Sequence, residues 1–333
     1  MVLSIMRFQL LLLAFVSCIL AASCSPTQIS TSETRISLGT YVQITVVSSE
    51  DTKRKVLADI DAAYERIESL DTRFDYRTRN TALWMFNHST SIMKSDDSEL
   101  FSLLIRALEL AELTDGYFDP TVLPLVELWG FDKEDPRLPT EEEINEALQK
   151  VGFRNVRILE DRIEKPLWVQ FDLSAIAKGE IVDIIRDFMR ERGYDNFLIN
   201  AGGDIYVGGL TEEKKKWRIA IQDPIRENRY SGIAEKSNLA IVTSGDYERF
   251  FMEGGVRYSH LFNPKTGYPF SDLKSVTIIA DETAFADAVA TGVFSMGSER
   301  GYDFLIRNGI EGFMIYGVDG NRVQSRHTPR FWD

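Results

Sequence analysis

The chain is poor in cysteine, in histidine and in clustered positive charge, and each shortage removes a class of function. Its only cysteines are Cys18 and Cys24. No disulfide framework and no cysteine-based zinc site can therefore be built in the body of the protein, and a bound metal would need oxygen or histidine ligands. Lys and Arg number 38 against 51 Asp and Glu, a net charge of −13, and no Lys/Arg-dense run offsets it. A surface for nucleic-acid phosphates is thereby excluded. There is no Walker loop and no G-x-G-x-x-G fingerprint. Ser244, Asp246 and His260 do not make a serine triad, because Thr243-Ser244-Gly245 lacks the nucleophile elbow. With 44% apolar and 27% charged residues and only 10 prolines among 333, the composition is globular, sufficient for one large or two modest domains.

The long apolar run is confined to the N-terminus. Arg7 precedes Leu10–Val16 and Ile19–Ala22, and Ala21-Ala22-Ser23 stand before Cys24. The run is interrupted by Ser17 and Cys18 and is short for the roughly 20 residues of a membrane span, so it reads as a cleaved export signal over residues 1–23. Small residues before Cys24 resemble a bacterial lipobox with Ala21 in place of the usual Leu, which makes Cys24 the candidate lipidation site. Cleavage there would leave no other thiol on the oxidising side of the membrane. The Ser/Thr/Pro-rich stretch to Thr34 reads as a tether, giving residues 24–34 as lipidated Cys and linker and 35–333 as the folded domain.

Arg35–Val47 alternates with period two, and Val56, Ile60, Tyr64 and Ile67 follow at helical spacing. Helices are expected over Asp97–Thr114, from Asp119-Pro120 onward, from a Thr140/Glu143 capping box to Gly152, over Ser174–Arg192 as the longest, and over Ala284–Phe294. Strands are expected at Val156–Leu159, Trp168–Phe171, Phe197–Ile199, Ile205–Val207, Trp217–Ile221, Leu239–Thr243, Val276–Ala280 and Phe313–Val318. Strands and helices mix without strict βαβ alternation, so the expected class is α+β.

Four segments carry groups suited to chemistry. Asp172 to Lys178 runs from a strand end into a helix start, where free N–H groups and a first-turn lysine would attract an anion. Asn200-Ala201-Gly202-Gly203-Asp204 is dense in glycine, as at a tight hairpin or a close backbone approach. Asp287 and Thr291, four apart on one helix, present hard oxygens that suit Mg²⁺. His260, ahead of a Pro/Gly turn, is the histidine best placed to act as a base, whereas His88 and His327 lack such surroundings.

Taken in order, Leu38-Gly39-Thr40, Gly116–Thr121 with Leu128–Phe131, Asp172 to Gly179, Asn200–Asp204, Thr243–Gly245, His260–Gly267 and Ala286–Thr291 resemble the ApbE family of flavin transferases. The resemblance implies a two-lobed α+β fold with FAD bound between the lobes. It implies Mg²⁺-assisted cleavage of the FAD pyrophosphate, with FMN passing to a Thr or Ser hydroxyl of an acceptor protein and AMP leaving. Position by position, it makes the Ala175 carbonyl, Asp287 and Thr291 the metal ligands and His260 the base. It puts flavin contacts at Leu38, Tyr117, Phe118, Asp119, Asp172 and Lys178, with Tyr76 the candidate for stacking on the ring. Ser174, Asn263 and Ala290 depart from the family pattern, and Ala290 removes a second Asp that some relatives carry beside the metal-site Thr.

The expected protein is thus lipid-anchored on the periplasmic side of the cytoplasmic membrane, and its acceptor is expected to be a membrane electron-transfer subunit. Two alternatives stay open: an FAD pyrophosphatase releasing FMN and AMP, and a flavin-binding lipoprotein without turnover. AMP release, with or without acceptor labelling, separates the three.

Overall fold

Period-two burial organises the fold around one large sheet. The computed structural model describes residues 27–131, 133, 136–226, 228–269, 272–319 and 322–333. The expected export signal and the expected lipidation site, Cys24, lie outside them. The elements in chain order are β1 (Gln28–Ser37), β2 (Thr40–Ser49), α1 (Lys53–Phe74), α2 (Ala82–Ser89), β3 (Ile92–Lys94), α3 (Ser98–Leu113), α4 (Leu123–Trp129), α5 (Glu141–Leu148), β4 (Arg157–Ile158) and β5 (Arg162–Glu164). They continue with α6 (Ser174–Glu191), β6 (Phe197–Ala201), β7 (Asp204–Gly208), β8 (Trp217–Gln222), β9 (Tyr230–Lys236), β10 (Leu239–Gly245), β11 (Phe250–Glu253) and β12 (Val256–Ser259). Last come β13 (Leu273–Ala280), α7 (Thr283–Met296), α8 (Ser298–Asn308), β14 (Glu311–Asp319) and β15 (Arg322–His327).

Eight strands form an antiparallel sheet in the order β1-β2-β6-β7-β10-β13-β14-β15. Because alternate residues point to opposite faces, each face owns a core. Val42, Ile44, Val46, Val242, Val276 and Ile278 pack with helices α1, α6 and α7. Val207, Ile241, Ile279, Phe313 and Ile315 pack on the other side, with Ile219, Ile221 and Ala234 of the β8–β9 hairpin and with Phe331. A third cluster surrounds Trp129, whose indole N–H donates to the Gly267 carbonyl (2.9 Å) and whose ring meets Phe251, Tyr258 and Phe262. The expected α+β class is what is observed.

Several expectations need correction. The stretch read as a tether through Thr34 is sheet from Gln28 on: β1 pairs residue for residue with β2, from Gln28↔Ser49 to Ser37↔Thr40. An edge strand needs only one covered face, and its Thr and Ile residues favour extended backbone, so polarity did not prevent pairing. Asp119-Pro120 does not begin a helix. The Asp119 carboxylate instead accepts from the Thr121 N–H and hydroxyl and from the Phe153 N–H, and α4 starts at Leu123 with Pro124 in its first turn. Trp168–Phe171 is not a strand, because the Asn87 amide takes both main-chain groups of Phe171 (2.8 and 2.8 Å) in place of a ladder. Among the described residues the longest helix is α1, at 22 residues, and a further helix, α8, follows α7 directly.

Candidate functional site

At one end of the sheet two tight turns lie side by side. Leu38-Gly39, with φ of +55° and +68°, closes β1–β2, a two-residue hairpin loop of the kind that requires positive φ at both positions. Gly202-Gly203 closes β6–β7, and pairing of β2 with β6 sets the turns edge to edge, with the Gly202 N–H donating to the Tyr41 carbonyl (3.1 Å). Gly202 is needed there, since a Cβ would lie 2.5 Å from the Thr40 hydroxyl. Asn200 Oδ1 accepts from the Gly203 N–H (2.9 Å), and the turn delivers Asp204.

Helix α6 starts beside these turns. Asp172 Oδ1 accepts from the Ser174 N–H (2.8 Å), and the Asp172 N–H donates to the Pro120 carbonyl (2.9 Å), fixing the chain as it turns into the helix. Lys178 falls in the second turn rather than the first, one turn past the free N–H groups of the helix start. Its amine pairs with Asp204 Oδ1 at 3.3 Å. Burial opposes the charge of Lys178, but Asp204, Asp287 and Glu248 outweigh it and hold the amine above the usual lysine value.

Helices α6 and α7 cross at Gly179, where a Cβ would sit 2.6 Å from the Thr283 carbonyl. The Gly179 N–H, whose regular helical acceptor would be the Ala175 carbonyl, donates to Asp287 Oδ2 at 3.2 Å. One turn later α7 carries Thr291. The N-terminus of α7 has no cap of its own. Asp183 of α6 supplies it, accepting from the N–H groups of Thr283 and Ala284 at 2.9 Å each.

His260 follows β12. Its N–H donates to the Arg249 carbonyl (3.0 Å), and its Nδ1 lies 3.2 Å from the same oxygen. A carbonyl can only accept, so Nδ1 carries the proton and Nε2 is the basic nitrogen.

These parts face one cavity of about 710 Å³, within the usual range for small-molecule sites. Its wall includes Leu38, Tyr76, Tyr117, Phe118, Asp119, Asp172, Ala175, Lys178, His260, Asp287 and Thr291. Every site residue expected from the sequence within the described region is therefore brought together. Their surroundings differ. Asp119 is occupied by main-chain donors, and burial raises its carboxyl. Tyr117 has the Lys265 amine 4.2 Å from its ring centre and the Arg300 guanidinium bonded to its hydroxyl. Arg77 lies over the Tyr76 ring at 4.3 Å. Asp246, once weighed as a triad partner, is bound to Lys274 (2.9 Å) and Arg257 (3.3 Å).

Four acidic groups in this wall were not singled out from the sequence, Asp71, Asp75, Asp204 and Glu248. Loss of hydration in the cavity and repulsion from Asp204 push the Glu248 carboxyl up to about 7, against Lys178 and Arg249. Asp287 is raised well above the carboxylate range by burial and by Asp204. Asp204 Oδ2 is buried with no N–H or hydroxyl donor among the described residues, and the Asp204 and Asp287 carboxyls lie within hydrogen-bond reach of each other. Two carboxyls so placed, in a cavity that Ala175 and Thr291 also line, fit a hard divalent cation held through oxygen.

Comparison with known proteins finds relatives over nearly the whole chain. The ApbE family model matches residues 38–314. A Vibrio cholerae serotype O1 protein named FAD:protein FMN transferase is 34% identical, the match covering 92% of this chain and 94% of that one. A Salmonella typhimurium protein of the same name is 31% identical, covering 88% and 86%. The solved structure of the flavin transferase ApbE from Vibrio cholerae superposes with a TM-score of 0.81 at 31% identity, covering 91% of this chain and 98% of the other.

Proposed function

The chain belongs to the ApbE family, and from that premise we propose that it is a Mg²⁺-dependent FAD:protein FMN transferase. It cleaves the FAD pyrophosphate, joins FMN by a phosphoester to a Thr or Ser hydroxyl of an acceptor protein, and releases AMP. The observation that carries the reading is the convergence of His260, Lys178, Asp287 and Thr291 on one cavity of about 710 Å³, at the end of the sheet where the tight turns lie.

In this reading His260 Nε2 removes the proton of the acceptor hydroxyl, with the imidazole held in the required tautomer by the Arg249 carbonyl. The acceptor oxygen bonds to the FMN-side phosphorus as the bond to the AMP phosphate breaks. Lys178 and the start of α6 hold the negative pyrophosphate. Mg²⁺, bound through the Ala175 carbonyl, Asp287 and Thr291, would neutralise charge that builds on the phosphate oxygens. Leu38, Tyr76, Tyr117 and Phe118 would cover the flavin.

Residues Ser25–Asp333 incubated with FAD, Mg²⁺ and an acceptor protein are expected to yield AMP and an acceptor heavier by one FMN. AMP with free FMN at an acceptor-independent rate would make the protein an FAD pyrophosphatase instead, and bound FAD without AMP would make it a flavin carrier. Membrane attachment through a lipid on Cys24, facing the periplasm and within reach of a membrane electron-transfer acceptor, is part of the same proposal. Among the described residues no helix is long and apolar enough to cross a membrane. With β1 beginning at Gln28, only Ser25–Thr27 would separate the lipid from the sheet edge. Cys24→Ser is expected to move the protein from the membrane fraction to the soluble one.

A further inference from the structure

We infer that Asp204 is the second carboxylate of the cation site, supplying from a hairpin turn the negative charge that α7 does not. The inference rests on the proposed Mg²⁺-dependent reading. On α7 the residue before Thr291 is Ala290, fully buried in the core, so that helix brings Asp287 alone. Asp204 reaches the same place from the opposite side of the cavity. It begins β7 directly after Gly202-Gly203, a turn locked onto Thr40, and its side chain is 1% exposed.

The two oxygens of Asp204 have different neighbours. Oδ1 meets the Lys178 amine at 3.3 Å. Oδ2 is buried with no N–H or hydroxyl donor among the described residues, and the Asp204 and Asp287 carboxyls lie within hydrogen-bond reach of each other. An ion pair with Lys178 accounts for one charge and leaves two buried carboxyls face to face, an arrangement that holds only where a proton or a cation satisfies it. A hard cation between two carboxylates, a hydroxyl and a carbonyl does so. Lys178 then has a second part to play, holding Oδ1 so that Oδ2 stays turned to the cation.

The test reads Mn²⁺ binding by electron paramagnetic resonance, without FAD and again with ADP as a pyrophosphate. Parent, Asp287→Asn, Asp204→Asn and the Lys178→Met/Asp204→Asn double variant are compared, with circular dichroism to verify folding. The double variant is decisive. It removes one positive and one negative charge together, so the net charge at the site is unchanged and no buried lysine is left unpaired, and it is compared with the parent in the arm without ADP because Lys178 is itself placed at the pyrophosphate. If Asp204 serves the cation, the double variant binds Mn²⁺ at least about tenfold more weakly than the parent, as a lost carboxylate ligand should. If Asp204 is only the counter-ion of Lys178, the double variant binds like the parent, and the inference is overturned while the Mg²⁺ reading stands. A parent that binds no Mn²⁺ in either condition overturns both. Asp204→Asn alone is expected to weaken binding further than the double variant, because it leaves Lys178 to repel the cation.

Discussion

Gly179→Ala tests whether the crossing of α6 and α7 is what sets the site. Inside a helix this change ordinarily stabilises by about 0.5–1 kcal/mol, because alanine loses less backbone entropy. Here the added methyl would lie 2.6 Å from the Thr283 oxygen, 2.7 Å from the Ala284 Cα and 2.8 Å from the Ala284 nitrogen, all main-chain atoms that cannot swing aside. Overpacking of this kind costs about 1–3 kcal/mol, so the sign reverses and a net loss of roughly 1–2 kcal/mol is expected. The same retreat of α7 stretches the two Asp183 caps and the Gly179–Asp287 bond, moving Asp287 away from the Ala175 carbonyl. Misplacement of a positioned group by about 1 Å costs on the order of a hundredfold in rate. Calorimetric melting and AMP release over a Mg²⁺ series measure both effects. A variant that melts at or above the parent temperature with an unchanged rate would refute the claim that this contact positions the proposed metal ligands.

Asp183→Ala strips two N–H groups of their acceptor and removes one of the two carboxylates paired with Arg186, Asp187 remaining, and urea unfolding is expected to show a loss of about 2 kcal/mol. Asp287→Ala is expected to abolish Mg²⁺-dependent AMP release while FAD binding, followed by flavin fluorescence, is largely kept; equal rates in variant and parent would remove Asp287 from the metal site. His260→Ala should suppress transfer far more than FAD affinity, and a variant that instead loses FAD would make His260 a binding residue. Glu248 gives a pH dependence. Its carboxyl lies near 7 in the folded protein against 4.5 as an ordinary glutamate, so the native state holds a proton that the unfolded chain has released, and stability falls as pH rises from about 4.5 to 7. Glu248→Gln should flatten that fall in melting temperature of the metal-free protein; an unaltered slope would place the titration elsewhere.

How much of this was legible in the sequence depended on whether a signal was local. The helical spacing of Val56, Ile60, Tyr64 and Ile67, the Thr140/Glu143 capping box and the alternation in β2 are local signals, and those elements formed. Trp168–Phe171 looked like a strand but gave its main-chain groups to Asn87, more than eighty residues away, a partner no window could show. The N-terminal stretch failed for the reverse reason: Ser and Thr composition suggested a tether, whereas pairing with β2 needed only an open sheet edge.

The site shows the same division more sharply. His260, Lys178, Asp287 and Thr291 could be named because each sits in a segment whose residue types already suggest a chemistry. Asp204 could not, since an acidic residue after two glycines reads as turn punctuation until the fold sets that turn beside Lys178 and Asp287. What brings them together is the antiparallel topology. Two-residue loops at the same end of β1–β2 and β6–β7 leave no bulk above the strands, and the start of α6 fills only part of the space. The concave end that remains is walled by short turns on one side and by the α6–α7 crossing on the other. Each wall brings carboxylate, the turns through Asp204 and the crossing through Asp287, so the charge that would hold a cation belongs to neither segment and arises only when the sheet and the helix pair are packed together.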